Sequence, residues 1–564
     1  VGGSQRFSAI GGLDEIMKGK GYITSGVHIR KIPLGVTVRK IVYLDHKAST
    51  SRRPLYVLLV SVDEEVDMSA HDDDGLTEQE RYEARLDQNR KVLEDQINSD
   101  LRGHDDEFQD WVEKYTRTDY LQVNSDLGRC PNFTTTKHEI WLMEGTNWTV
   151  LQKISMEDEE HSTCVQLIKL TEDEAAQQRA EREAAGNFSV PSRDFVAVGT
   201  STVSEAGEEA PATGRVLLYD IVVGKSEGAD KPPRVSLSLQ HEKASKVGPV
   251  SSLASLNCGE SIHLIVGAGN HVSIQSWKKR TAGEIIAENE EGEQQPEGSD
   301  GHGLKQIGFH HAMLHVIAIK VVKTYILLCD AYEGLQFLHW RDKDKTLNLL
   351  SRDYCRTPTF AAGVISISGS LSFVVHDERE NIRVLTYAPN DPAAEGGAKL
   401  CSRADMHIGL TAVDFSSHFC VPPEIVASAN SDISFAALKG SRYDGGGMEE
   451  VFGLAFGSID GGFACVIPLP PQIFMRLYAL QNILANALDS PAASSTRGWR
   501  QYKKYHFPSI SEDVQGKVLD VDVLLRFMNL ERATQEEICA AGGTTVETVK
   551  DNLLLLSSYA GGVL

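Results

Sequence analysis

The sequence predicts a mainly β protein, a divergent β-propeller followed by a small α-helical C-terminal domain. Three observations carry this. Short β-branched runs punctuated by Gly, Asn, Asp and Pro occupy most of the chain; several pair in a recurring two-strand form; and after Pro470 the apolar period changes from two to 3.6.

The runs begin with Arg39 to Leu44 and Leu55 to Val62. They continue through His138 to Leu142, Thr149 to Ile154, Thr163 to Leu170, Phe195 to Thr200, Arg215 to Val223 and Arg234 to Leu239. Ile262 to Ala268, His271 to Trp277, His315 to Ile319, Tyr325 to Asp330 and Leu335 to Trp340 follow. Ser372 to Asp377, Ile382 to Tyr387, Thr411 to Phe415, Glu450 to Gly457 and Gly462 to Ile467 close the series. Their length and punctuation fit antiparallel meanders. In the recurring form an apolar strand ends in a small or acidic residue, a tight turn follows, and the next strand ends in an aromatic. Ile265–Gly269 leading to Trp277, Leu327–Asp330 leading to Trp340, and Phe373–Asp377 leading to Tyr387 are examples. That is how the middle strands of a propeller blade read, with the ring packing the neighbouring blade. The repeat is irregular and lacks the Trp-Asp signature.

Residues 1–28 read as a linker or the end of a preceding domain, and residues 29–470 as the propeller. Inserts at 63–110, 171–185 and 284–303 are acidic or charged and too poor in apolar residues to offset ordering entropy, so they are expected to be solvated spacers. Residues 471–564 form the helical domain, with Pro471 near its start, where a missing N–H costs little. Ile473, Leu477, Leu480, Ile483, Leu484 and Leu488 line one face of its first helix. Val518 to Leu530, Thr534 to Ala541 and Thr545 to Leu556 are further helical patterns, with Thr534 and Thr544 or Thr545 as expected N-caps.

Composition narrows the function classes. A net charge of −23 argues against the surface as a whole binding nucleic acid. No apolar run reaches the roughly 20 residues needed to cross a bilayer; Leu314 to Leu328 comes nearest and reads as one or two buried strands. The nine cysteines form no CxxC pair and read as reduced, buried thiols of an intracellular protein. The chain opens without an initiator methionine or a secretory signal, so a fragment or a processed product is expected.

No motif of catalysis emerges. Gly267-Ala268-Gly269 lacks the third glycine and the following helix of a dinucleotide fingerprint. His310, His311 and His315 are the densest histidines, but no Cys, Asp or Glu stands nearby at ligand spacing. No cofactor or metal is therefore expected, and no enzyme activity. Two interaction candidates remain. Arg497, Trp499, Arg500, Lys503 and Lys504 interleave cations with an aromatic and suit contact with RNA. Phe474, Leu477, Tyr478 and Leu484 on the first helix are a candidate partner-binding surface, although an intramolecular core explains most of that face. The helix-turn-helix-like tail around Gly542-Gly543 carries too few groove-reading side chains to be a DNA reader.

Several longer segments resemble one family. Ile29–Leu34, Gly214–Asp220, Lys246–Val250, Thr346–Asp353, His376–Ile382, Arg403–Gly409 and Arg476–Asn482 together resemble the C-terminal region of the largest subunits of the cleavage and polyadenylation specificity factor. The wider superfamily holds the large damaged-DNA-binding protein and a splicing-particle propeller. The Arg-Asp and Arg-Ala-Asp-x-His segments point to the polyadenylation branch. The resemblance implies a seven-bladed propeller, the third of three, whose earlier propellers are missing from this chain. It implies a nuclear, non-enzymatic scaffold that organises a WD40-repeat subunit and a CCCH zinc-finger subunit, which read the polyadenylation signal, and so meets pre-mRNA mainly indirectly. A cullin-ligase adaptor, a splicing subunit and a direct RNA-binding protein are the alternatives.

Overall fold

The computed structural model describes residues 32–46, 53–65, 134–157, 159–171, 192–202, 212–224, 234–245, 247–259, 261–280, 301–367, 370–419, 452–488, 496–500 and 518–559. Among these, six antiparallel sheets follow one another along the chain. The first holds β1 (Thr37–Tyr43), β2 (Leu55–Glu65), β3 (Thr134–Glu144) and β4 (Thr149–Ser155). The second holds β5 (Glu160–Thr171), β6 (Ser192–Thr202), β7 (Gly214–Val223) and β8 (Val235–Ser245). The third holds β9 (Val250–Asn257), β10 (Ile262–Ala268), β11 (His271–Lys279) and β12 (His302–His311). The fourth holds β13 (Val316–Val322), β14 (Tyr325–Asp330), β15 (Gly334–Arg341) and β16 (Thr346–Arg352). The fifth holds β17 (Thr359–Ile367), β18 (Ser370–Asp377), β19 (Asn381–Thr386) and β20 (Cys401–His407). The sixth has three strands, β21 (Ala412–Phe419), β22 (Phe452–Ser458) and β23 (Phe463–Val466).

The second strand of each blade explains how they stack. Side chains alternate across a strand, so a strand apolar at every position feeds two cores at once. In β10, Leu264 and Val266 enter the core shared with the second sheet, while Ile265 enters the core shared with the fourth. In β14, Ile326 and Leu328 face the third sheet, and Leu327 and Cys329 face the fifth. β18 divides Phe373 and Val375 from Val374 in the same way. Five such cores join the six sheets in chain order, and the first strands β5, β9, β13, β17 and β21 lie side by side. This is a β-propeller. The described residues give six blades where seven are expected, and no core among them joins the sixth sheet to the first.

The strand-ending residues act as the sequence suggested. Trp340 is buried in the core between the third and fourth sheets, and its Nε1 donates to Asp342 (3.1 Å). Trp277 packs between the second and third sheets, with Phe195 tilted on it at 5.2 Å and His241 edge-on at 5.6 Å. Asp330 accepts the backbone N–H groups of Tyr332 (2.7 Å) and Glu333 (2.9 Å), and Asp377 accepts those of Arg379 (2.9 Å) and Asn381 (3.0 Å). An aspartate at the end of the second strand thus closes the turn into the third.

In the C-terminal part, α1 (Pro471–Ala487) starts at Pro471 and buries Ile473, Leu477, Leu480 and Leu484. These pack with α3 (Val521–Leu525), the 3-10 turn that follows it, α4 (Arg532–Ala541) and α5 (Val546–Tyr559) through Leu524, Phe527, Cys539, Val549 and Leu553. A five-residue α2 (Thr496–Arg500) sits against β20.

Some expectations need correction. The single pattern over 518–530 divides into α3, capped by Asp520, and a 3-10 turn over Arg526–Asn529. Glu531, not Thr534, stands at the N-cap of α4, without a side-chain cap bond. Thr545 does cap α5, accepting the N–H of Thr548 (3.3 Å). Strands β9, β12, β16, β17 and β20 were not anticipated. Asp63–Glu65, Thr171 and His302–Gly303, assigned to inserts, belong to β2, β5 and β12; the rest of those inserts lies outside the described residues, apart from Gly301. The run Leu314 to Leu328 forms two strands with a turn at Lys323 (φ 56°), but Leu314 itself lies outside them.

Candidate interaction site

In an antiparallel blade the turn from second to third strand and the connection from one blade to the next emerge at the same end. Backbone hydrogen bonds tie these segments into one face. Ala312 N donates to Asn270 O (2.8 Å), Val316 N to Gly269 O (2.8 Å), and Asp353 N to Leu335 O (2.8 Å). The connection between the third and fourth blades, residues 312–315, carries Met313 and Leu314, which are 55% and 59% exposed. Leu314 N is fixed by Asp330 Oδ2 (3.1 Å), so this apolar tip is held up rather than free to fold back.

Beside it, at the rim of the third blade, Phe309 is exposed and stacks on His271 (5.4 Å), with His311 edge-on to Phe309 (5.3 Å). Burial and the neighbouring His311 keep the His271 imidazole below its ordinary value, so it packs as a neutral ring at pH 7. On the other side the turn of the fourth blade carries Tyr332, and the next connection carries Tyr354 and Arg356, all exposed. Arg356 lies over the Tyr332 ring (5.6 Å) and its Nη1 donates to the Tyr332 hydroxyl (3.4 Å). Arg352 and Lys399 stand over Tyr354 at 4.9 and 5.9 Å.

A chain of hydrogen bonds runs beneath these groups. His310 Nε2 meets Gln336 Oε1 (3.0 Å), Gln336 Nε2 donates to Glu333 (3.2 Å), and Arg352 pairs with the other Glu333 oxygen (3.3 Å). Gln336 is buried and Glu333 nearly so, which fixes Arg352 in place. Below, buried Arg383 lies 2.7 Å from Asp353, donates to Thr357 (3.2 Å) and lies 3.8 Å from Asp377. Burial alone would lower the Arg383 pKa, but Asp353, Cys355 and Asp377 outweigh it and hold the guanidinium charged.

The sequence candidates fall elsewhere. Leu477 and Leu484 are in the helical core; Phe474 and Tyr478 are half-buried and stack on each other at 5.6 Å, beside exposed Met475. Arg500 pairs with Asp520 (2.6 Å) and donates to His407 O (3.2 Å), while Trp499 stands edge-on to His407 (5.0 Å) with its ring partly exposed. Gly409, with φ 67°, leaves room for that ring: a Cβ there would come within 2.7 Å of it. Arg497 lies in α2, and Lys503 and Lys504 lie outside the described residues. The histidines separate: His310 and His311 end β12, while His315 precedes β13.

One metal-like group does assemble. Ligand atoms of Cys258, His263 and Asp342 lie within 4.8 Å of one another. Asp342 Oδ1 already meets Lys345 Nζ (2.8 Å), Trp340 Nε1 (3.1 Å) and His263 Nε2 (3.1 Å), and burial with Asp342 pushes the Cys258 thiol up to about 11. An ammonium and a protonated thiol stand where a cation and thiolate would be needed, so the group works as a polar clamp between the third and fourth blades.

The exposed apolar, aromatic and cationic side chains could have been suspected from Met313-Leu314 and Tyr354-Cys355-Arg356 in turn segments, but sequence does not show which turns share a face. Geometry of this kind defines a propeller with an exposed apolar, aromatic and cationic face. Comparison with known sequences gives the family. The model described as "CPSF A subunit region" matches residues 137–290 and 298–529, so the chain belongs to that family. It is 27% identical over 439 residues to the cleavage and polyadenylation specificity factor subunit 1 of Arabidopsis thaliana, covering 77% of this chain and 25% of that protein. The probable subunit 1 of Oryza sativa subsp. japonica is 26% identical over 427 residues (74% and 25%), and subunit 1 of Drosophila melanogaster 22% over 424 (75% and 25%). The chain thus spans about a quarter of the length of these relatives.

Proposed function

We propose that this chain is the propeller-and-helix part of a non-enzymatic scaffold in nuclear pre-mRNA 3'-end cleavage and polyadenylation. It organises the subunits that read the polyadenylation signal. The relatives are named as specificity-factor subunits, which supports the pathway. The observation that carries the scaffold role is the loop face, where Met313, Leu314, Tyr332 and Tyr354 are held exposed on hydrogen-bonded turns. Such a face can hold partner segments in one pose without first ordering itself, which saves entropy on binding. WD40-repeat and CCCH zinc-finger subunits are the expected partners, and pre-mRNA is met mainly through them.

The test is an affinity pull-down of the tagged chain from nuclear extract, with and without nuclease, read by mass spectrometry. Recovery of those two subunits after nuclease treatment supports the reading. Recovery of cullin or splicing components instead reassigns the chain, and loss of every partner on nuclease treatment makes it a direct RNA binder.

A further inference from the structure

We propose that the face between the third and fifth blades takes an acidic, amphipathic segment of a partner protein, with apolar side chains on Met313 and Leu314 and carboxylates on Arg356, Arg352 and Lys399. This rests on the scaffold reading and names the chemistry of its partner. Two halves of the face argue for it together. At one end Met313 and Leu314, beside exposed Phe309, offer an apolar step that Asp330 holds out into solvent. At the other, three cations surround two exposed tyrosines, and among the described residues the only carboxylate bonded into this cluster is Glu333, whose side chain is 12% exposed and already engaged by Arg352 and Gln336. Asp353, next in sequence to Arg352, turns inward to Arg383 and adds no surface charge.

Within a chain of net charge −23, a cationic and aromatic cluster is a local reversal, and it complements a negative segment rather than a neutral one. RNA is the other polyanion that could answer these cations. Met313 and Leu314 disfavour it, because bases stack on aromatic faces and gain little from an aliphatic step, whereas leucine or phenylalanine of a peptide is buried there. Tyr332 and Tyr354 each carry a guanidinium or ammonium over the ring, so those cations are positioned for carboxylates at the ring edges.

Fluorescence anisotropy on the full chain tests this with three short probes: a peptide alternating glutamate with leucine and phenylalanine, the same peptide with lysine for glutamate, and an oligouridylate. The acidic peptide should bind, weaken with added salt, and lose about tenfold in affinity in Arg356→Glu and again in Met313→Ser/Leu314→Ser. The lysine peptide and the oligouridylate should bind far less well. All three substituted side chains are exposed, and an unchanged thermal transition verifies that the variants fold. Failure of the acidic peptide to bind, indifference to both variants, or tighter binding of the oligouridylate overturns the proposal. If Arg356→Glu still recovers the polyadenylation subunits at the wild-type level, this site is wrong while the scaffold reading stands.

Discussion

Arg383 provides the strictest test of how the blades are held. Its guanidinium is buried, 7% exposed by side chain, between Asp353 (5%) in the connection from the fourth blade and Asp377 (0%) at the turn of the fifth. Replacing it by methionine keeps much of the volume but leaves two buried carboxylates without their cation. Breaking a buried ion pair from one side costs about 3–5 kcal/mol, because the remaining charge stays desolvated. The expected result for Arg383→Met is a loss of about this size, read as a shift of the urea midpoint by far-UV circular dichroism. Adding Asp353→Asn should restore part of it, giving a coupling in the double-mutant cycle between residues that touch. Arg403→Met, which removes an exposed pair to Asp391, should leave the midpoint unchanged. A loss below about 1 kcal/mol for Arg383→Met, no larger than a surface pair gives, would refute the argument that this ion cluster locks the fourth and fifth blades together.

Two further outcomes follow from the cores and the histidines. Trp340→Ala should destabilise by about 3–5 kcal/mol in the same denaturation assay, since a buried ring between two sheets is lost and its cavity cannot collapse without moving β12. His138 is buried beside His161 (4.6 Å), and burial, then the His161 and Arg39 charges, lower its pKa to about 4. Unfolding therefore takes up a proton, so its contribution is present above pH 6.5 and is lost as pH falls toward 4. Replacing it in His138→Gln should flatten the melting temperature against pH across that window.

Much of this architecture could be read from residues alone, where local chemistry decides the outcome. Ile262–Ala268 and Tyr325–Asp330 match their strands because continuous apolar runs between turn formers have no other stable use. Asp330 and Asp377 close turns through their own side chains, and Trp340 and Trp277 fill gaps between blades. The strands that were missed carry weaker local signals. β16 has exposed positions at Thr346 and Leu349, and β12 mixes glycine, lysine and glutamine, so pairing to β15 and β11 makes them strands. The face proposed to bind was illegible for a related reason. Leu314 reads as the start of a buried run, yet it is 59% exposed, with its N–H held by Asp330 sixteen positions on.

Most residues of the segments that carry the family resemblance do internal work, although Arg352 in Thr346–Asp353 also belongs to the face proposed to bind. Arg215 in β7 is held by Glu160 (2.6 Å) and Glu242 (2.6 Å); burial opposes ionisation of Glu160, but its bonds from Arg215 and Thr200 keep it below the usual range. Asp353 and Asp377 hold Arg383, and His407 receives Trp499 and Arg500 from the helical part. Each of these groups joins segments distant in sequence, so their identities are fixed by geometry inside this chain. Met313 and Leu314 are exposed and enter no core, and Tyr332 and Arg356 pair with each other at the surface. On the binding proposal, changing them should alter recognition at little cost in stability, whereas changing Arg215, Arg383 or Asp377 should remove the frame that presents them. A fold of this kind can therefore keep one set of internal clamps while the partner-facing loops are tuned separately.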